Sequence, residues 1–250
     1  MRDYLFLLTM KIPLHRSVDL IKDSAGLIAL NKPEGIRSHP NGKGVDSKSL
    51  VQLPYDLEKE AYLVEGKPAW YLINRLDSPT SGLILLSSDR QVAQAAKAAF
   101  ESRDVSKTYH AIVFGKPTRP TAEWKDRLSS KRQQSGVRSR AGAGDESVSE
   151  VKCLESTKQP PLLSLLELKP KTGRTHQLRV QSAQRKLPIV GDATYGNFKL
   201  NRSFSKSAGT KRLFLHSSSI TLRYMFKGTH KSFHAETPLP ESFRLVLGNA

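Results

Sequence analysis

Residues Asn74 to Leu86 read N-R-L-D-S-P-T-S-G-L-I-L-L, and this stretch decides how the rest of the chain is read. It carries one carboxylate, Asp77, with Arg75 two residues before it and Pro79 two residues after it. An apolar run then begins at Leu83. Four consecutive aliphatic residues after a Ser-Pro-Thr-Ser-Gly turn signal predict a buried strand over Leu83 to Ser87. Trp70 to Ile73, on the other side, predicts a second strand. Asp77 is thus expected on a constrained loop between two strands, where an acid serves as a nucleophile, a base or a turn residue.

Working outward, Leu27 to Asn31 predicts a short buried strand closed by the Lys32-Pro33-Glu34-Gly35 turn. Asn41 to Glu60 has weak periodicity and reads as loop. Asp89 is placed to cap a helix running to about Arg103, whose Val92, Ala95, Ala96, Ala99 and Phe100 fall at helical spacing. Lys107 to Phe114 is rich in β-branched and aromatic residues and predicts a strand. Leu162 to Lys169 predicts another. Thr175 to Arg185 suits a helix capped by Thr175, and Leu213 to Phe226 one long strand or a hairpin. Arg119 to Glu150 turns polar and loses periodicity, which predicts a mobile insertion. Strands outnumber helices and do not alternate regularly with them. The expected fold is therefore α+β, with a central mixed, mainly antiparallel sheet, flanking helices and a catalytic cleft. A single domain over 1–250 is expected, with residues 1–25 as an N-terminal extension.

Composition narrows the function. The 250 residues hold 38% hydrophobic side chains, and no stretch approaches the roughly 18 apolar residues of a membrane helix. The apolar patch within Met1 to Met10 is too short for a signal peptide. A single cysteine, Cys153, excludes an internal disulfide and a cysteine-rich zinc site and fits a reducing cytoplasm. Lys and Arg number 40 against 23 Asp and Glu, a net charge of +17 that points to a polyanionic partner. Between Asp192 and Glu236 there is no acid, while Lys199, Arg202, Lys206, Lys211, Arg212, Arg223, Lys227 and Lys231 all fall inside. A nucleic-acid face is the favoured reading of that run. His216, His230 and His234 read as surface or RNA-facing side chains and not as a metal set.

Four segments carry chemistry together: the Asp77 loop; Lys107-Thr108-Tyr109; Thr172-Gly173-Arg174-Thr175-His176-Gln177-Leu178-Arg179; and Pro188-Ile189-Val190-Gly191-Asp192-Ala193-Thr194-Tyr195-Gly196. With Asn31-Lys32-Pro33 before them and Arg212-Leu213-Phe214-Leu215-His216 after, their order resembles the RluA-type pseudouridine synthase family. The resemblance spans Leu27 to about Phe243. It implies that uridine in RNA is isomerised to pseudouridine, with no metal and no cofactor, by a monomer acting on tRNA or rRNA. It further implies Asp77 as nucleophile or base, Arg179 as its ion-pair partner, and Tyr109 stacked on the target base. Arg75 is then available to fill the space left by a flipped nucleotide. Lys107, Arg174, His176 and Arg212 are further RNA-binding candidates, although Arg174 and His176 are equally suited to bracing their turn, and Asp192 reads as a turn-shaping residue. Asn74, Ser78-Pro79 and Gln181 depart from the family pattern beside its core positions. Two rivals stand against this reading: an RNA-binding protein that has lost catalysis, and a nuclease or glycosidase, which calls for a second carboxylate or a metal cluster.

Overall fold

The computed structural model describes residues 12–42, 44–133, 136–142 and 144–248, so the apolar patch of residues 4–8 lies outside the described residues. Thirteen strands run in chain order as β1 (Asp19–Ser24), β2 (Leu27–Lys32), β3 (Tyr55–Asp56), β4 (Ala61–Val64), β5 (Lys67–Leu72), β6 (Ser81–Ser87), β7 (Val105–Phe114), β8 (Thr121–Gln133), β9 (Gly136–Ala141), β10 (Asp145–Ser156), β11 (Leu163–Pro170), β12 (Leu215–Phe226) and β13 (Thr229–Glu236). Four helices accompany them among the described residues: α1 (Arg90–Ser102), α2 (Gln177–Gln184), α3 (Phe198–Ala208) and α4 (Glu241–Gly248). The α+β expectation with mainly antiparallel pairing holds. Two compact units emerge, one from residues 1–105 and 219–237, the other from 106–218 and 238–250.

In the first unit β6 is buried along its whole length and pairs antiparallel with β2, from Ile28–Leu86 to Lys32–Gly82, and with β5 at Tyr71–Ser87 and Leu72–Leu86. A strand covered on both faces loses the alternation of a half-buried one, which is why the aliphatic run is continuous. Helix α1 starts where the sequence predicts: Asp89 accepts from the Gln91 and Val92 N–H groups. Its Val92, Ala93, Ala96 and Ala99 pack on Leu83 and Leu85 of β6 and on Ile220 and Leu222 of β12. Part of the expected N-terminal extension is strand β1, which pairs with β2.

In the second unit β7 pairs with β11, β11 with β10, β10 with β8 and β8 with β9, all antiparallel. The polar segment 119–150 is thus built into strands that its composition did not announce. Its strands are held by ladder bonds, by side chains of α2 and by Trp124 and Val151 in the core; the inward row of β8 runs Ala122, Trp124, Asp126, Leu128, and the acid in it breaks the hydrophobic alternation. Helices α3 and α4 were also missed. Their buried contribution is small, chiefly Phe204 and Phe243, which join Phe114, Leu163, Leu165, Val190 and Phe214 in one cluster.

Candidate active site

Asp77 belongs to the first unit, where its loop is fixed through backbone atoms. Lys32 is 0% exposed, and its ammonium donates to the carbonyls of Pro33 (2.9 Å), Ile36 (2.7 Å) and Ser78 (3.0 Å). Gly35 N–H donates to the same Ser78 carbonyl at 2.8 Å. Ser38 grips Leu76 twice, its hydroxyl donating to the carbonyl (2.8 Å) and accepting from the N–H (3.0 Å). Asn74 accepts from Leu85 N–H (2.8 Å) and donates to the Leu83 carbonyl (3.3 Å), in effect extending the β6 ladder. The residues immediately before and after Asp77 are therefore both tied down, and Leu76 is buried beneath it. Asp77 itself is half-buried. Arg75 is exposed and has no ion pair among the described residues, so it is not the structural salt bridge that its nearness to Asp77 invites.

Arg179 and Tyr109 belong to the second unit. Arg179 lies in the first turn of α2, 5% exposed, and meets Asp192 through a fork: Nε to Oδ2 and Nη2 to Oδ1, both 2.8 Å. Asp192 is 1% exposed and also accepts from the N–H groups of Thr194 (2.8 Å) and Tyr195 (3.0 Å). Burial alone would push the Asp192 carboxyl up; the Arg179 hydrogen bond and charge, with those two N–H groups, outweigh it and hold the group below its ordinary value. The fork takes two of five guanidinium donors, which suits the same side chain to serving a second acceptor. The Tyr195 ring lies 5.1 Å from the guanidinium carbon, completing the cage. Asp192 is thus more than a turn residue: it orients an arginine. The turn that carries it passes so close to Arg212 that a Cβ on Gly191 would stand 1.7 Å from the Arg212 carbonyl oxygen, with φ at +77°. Only glycine fits there.

Thr175 does not cap α2. The N-cap position falls on His176 in the left-handed region, with no side-chain cap bond. Gln177 does the local work instead, accepting from Arg174 N–H (3.1 Å) and the Thr172 hydroxyl (2.7 Å) and donating to the Val148 carbonyl (3.0 Å). Gln181, fully buried, donates to the carbonyls of Trp124 (3.1 Å) and Ser147 (3.1 Å) and accepts from Ser149 (2.7 Å). These two amides fasten the arginine-bearing helix to β8 and β10.

Among the RNA-binding candidates, His176 Nδ1 lies 2.8 Å from the Tyr195 hydroxyl, and Arg174 pairs with Asp145 at 2.9 Å on the surface. Both geometries match the bracing alternative. Lys107 is half-buried, its ammonium 3.4 Å from the Thr172 carbonyl, and burial pushes its pKa down to about 8. Tyr109 is half-buried on β7 beside a cluster containing Ala111, Leu168 and Leu178. Arg212 lies over the rings of Phe214 (5.5 Å) and Phe243 (5.2 Å) and donates to Ser242 (2.8 Å). His216 departs from the surface reading: it is 1% exposed, and burial, followed by the nearby Arg212 and His110, pushes its pKa down to about 3. Its ring packs against Phe243, the centroids 6.3 Å apart. Residues missed by sequence reasoning are Lys32, Ser38, Asn74 and Gln181. The one available signal was a lysine placed directly after the apolar run L-I-A-L-N.

The chain thus has an α+β fold with a carboxylate on a braced loop in one unit and a buried, oriented arginine in the other, and among the described residues no group of three or more His, Cys, Asp or Glu is placed to hold a metal ion. Comparison with known proteins gives the family. The family model for RNA pseudouridylate synthase matches residues 26–184. The tRNA pseudouridine synthase C of Yersinia pestis is 31% identical over 225 residues, covering 84% of this chain and 83% of that protein. The ribosomal large subunit pseudouridine synthase C of Rickettsia bellii is 31% identical over 231 residues, 91% of this chain and 70% of that one. The solved human RNA pseudouridylate synthase domain containing 4 shares the fold, with TM-score 0.67 at 23% identity over 99% of this chain and 97% of that one. The chain belongs to the RNA pseudouridylate synthase family and is an isomerase of the RluA type, as its four motifs suggested.

Proposed function

We propose that this chain isomerises specific uridines in tRNA or rRNA to pseudouridine, with Asp77 as the catalytic carboxylate. The bond from ribose C1′ to N1 breaks, the base turns within the site, and C1′ bonds to C5. The C5 proton leaves and N1 gains one, so atoms and electrons balance without a co-reactant. Asp77 acts as nucleophile on the nucleotide or as base at the ribose. Arg179, held by Asp192, keeps the carboxylate ionised. Tyr109 stacks on the base and assists loss of the C5 proton. Arg75 fills the gap left by the flipped nucleotide, which offsets the few kcal/mol that unstacking costs. Lys107, Arg174, His176 and Arg212 support the RNA-facing surface, directly or by bracing. The protein acts as a cytoplasmic monomer without metal or cofactor.

The observation that carries this reading is the bracing of the Asp77 loop by Lys32 and Ser38 on both flanking residues. A mere turn residue does not need its neighbours' backbone fixed by a buried ammonium; a catalytic group held to within a fraction of an ångström does. The test is tritium release from RNA labelled at uridine C5, on separate tRNA and rRNA fractions. Wild-type protein should release tritium from one of them, and Asp77→Asn from neither while still binding RNA. No release by wild type from either fraction in single-turnover conditions would leave an RNA-binding protein without catalysis.

A further inference from the structure

The eight cations of the acid-free stretch do not form one surface. Arg212 is engaged with Phe214, Phe243 and Ser242, and Arg223, Lys227 and Lys231 belong to the first unit. Three of the others gather on α3. Lys199, Arg202 and Lys206 stand at i, i+3 and i+7, which at 100° per residue places them within about 60° of arc on one helix face. All three are exposed, and none has an ion pair among the described residues. The opposite side of the helix carries Phe204, buried 6.0 Å from the ring of Phe114 and 5.9 Å from that of Phe214. The basic face is therefore held outward by packing. Phe198, the first helical residue, is 66% exposed at the edge of the stripe.

This helix is built against its own stability. Arg202 and Lys206 are like charges at i, i+4, Lys199 places a cation in the first turn at the positive end of the helix dipole, and no acid relieves it. A bound polyanion would remove both penalties. A membrane surface would need the apolar face, which Phe204 has already committed to the core. We propose that the Lys199–Arg202–Lys206 face of α3 binds the phosphate backbone of the RNA substrate independently of sequence, with Phe198 as a stacking platform for an unpaired base. This rests on the reading of the chain as an RNA-modifying enzyme and assigns part of its substrate surface.

The test is RNA affinity of the full chain across a salt series, using the fraction that supports turnover, or both fractions if neither does. Neutralising three phosphate contacts by Lys199→Gln/Arg202→Gln/Lys206→Gln should lower affinity roughly 100-fold at about 0.1 M salt. It should also flatten the slope of log K against log salt by about 2 to 3. Phe198→Ala should cost roughly tenfold and leave the slope unchanged. Melting of the triple variant should be unchanged or slightly higher. Lys67→Gln/Lys152→Gln/Lys158→Gln removes the same charge at other exposed positions. Equal loss there would reduce the effect to net charge and overturn the proposal. So would wild-type affinity and slope in the α3 triple variant, or loss of binding to anionic phosphatidylserine vesicles with RNA binding intact. A wild type that binds RNA through α3 yet turns over neither fraction would refute the isomerase reading while leaving this surface standing.

Discussion

Asp192→Asn keeps the shape of the side chain and removes its charge, which makes it the sharpest probe of how Arg179 is held. The carboxylate is 1% exposed and makes four bonds: two from the Arg179 fork and two from the Thr194 and Tyr195 N–H groups. The amide retains one acceptor oxygen, enough for the backbone pair, but turns an NH2 toward the guanidinium. Removing one partner of a buried pair costs about 3–5 kcal/mol. For a chain of this size each kcal/mol shifts the melting temperature by about 2–4 °C, so a fall of roughly 6–20 °C is expected. Turnover should fall with it because the arginine loses its fixed pose. Arg179→Met/Asp192→Leu removes both charges and should recover part of the lost stability with no recovery of turnover, separating the two effects. The pH dependence has a definite sign. The Asp192 carboxyl lies below its ordinary value of 3.8 in the fold, so its contribution is complete above that value and is lost as pH falls through the folded one. The acid limb of the stability profile should flatten in Asp192→Asn. Melting within about 2 °C of wild type, measured by circular dichroism, together with unchanged tritium release, would refute the argument.

Lys32→Met leaves three carbonyls without their ammonium donor and relieves the buried charge; a net loss of about 2–4 kcal/mol in denaturant unfolding is expected, with a larger fall in kcat than in RNA affinity. Gly191→Ala cannot be accommodated against the Arg212 carbonyl, and soluble folded protein should not be recovered. Arg75→Ala should melt like wild type, because the side chain is exposed and holds no described partner, yet slow single-turnover isomerisation at saturating RNA. Lys107 titrates near 8 in the fold against 10.5 ordinarily, so the unfolded chain binds more protons between those values and stability should rise with pH across that window. Lys107→Met should abolish the rise in unfolding free energy measured by denaturant titration.

Much of the frame was legible because burial writes itself into sequence. The continuous L-I-L-L run of β6, the Asp89 cap and the β-branched run of β7 each led to the right element. What stayed hidden is held by polar bonds that leave no period. Strands β8 to β10 are fastened by amides and ladder bonds, and α3 buries only Phe204. At the site, motif order is what puts Asp77, Tyr109 and Arg179 forward as the proposed catalytic residues. The supports Ser38 and Gln181 act on backbone atoms far away in sequence, so no local pattern marks them, whereas Lys32 stands in the Asn31-Lys32-Pro33 motif and also holds its own turn. Asn74 and Gln181, which depart from the family pattern, hold backbone in place.

Gln177 and Gln181 grip the strands of the polar segment through three main-chain carbonyls, those of Trp124, Ser147 and Val148, and through the inward side chains of Asp126 and Ser149. A carbonyl is present whatever residue occupies the position. The outward side chains of β8 and β10 can therefore be exchanged over generations without loosening the arginine-bearing helix. In a family whose named members include both tRNA and ribosomal RNA pseudouridine synthases, such an anchor lets this exposed face drift while the arginine stays where it was.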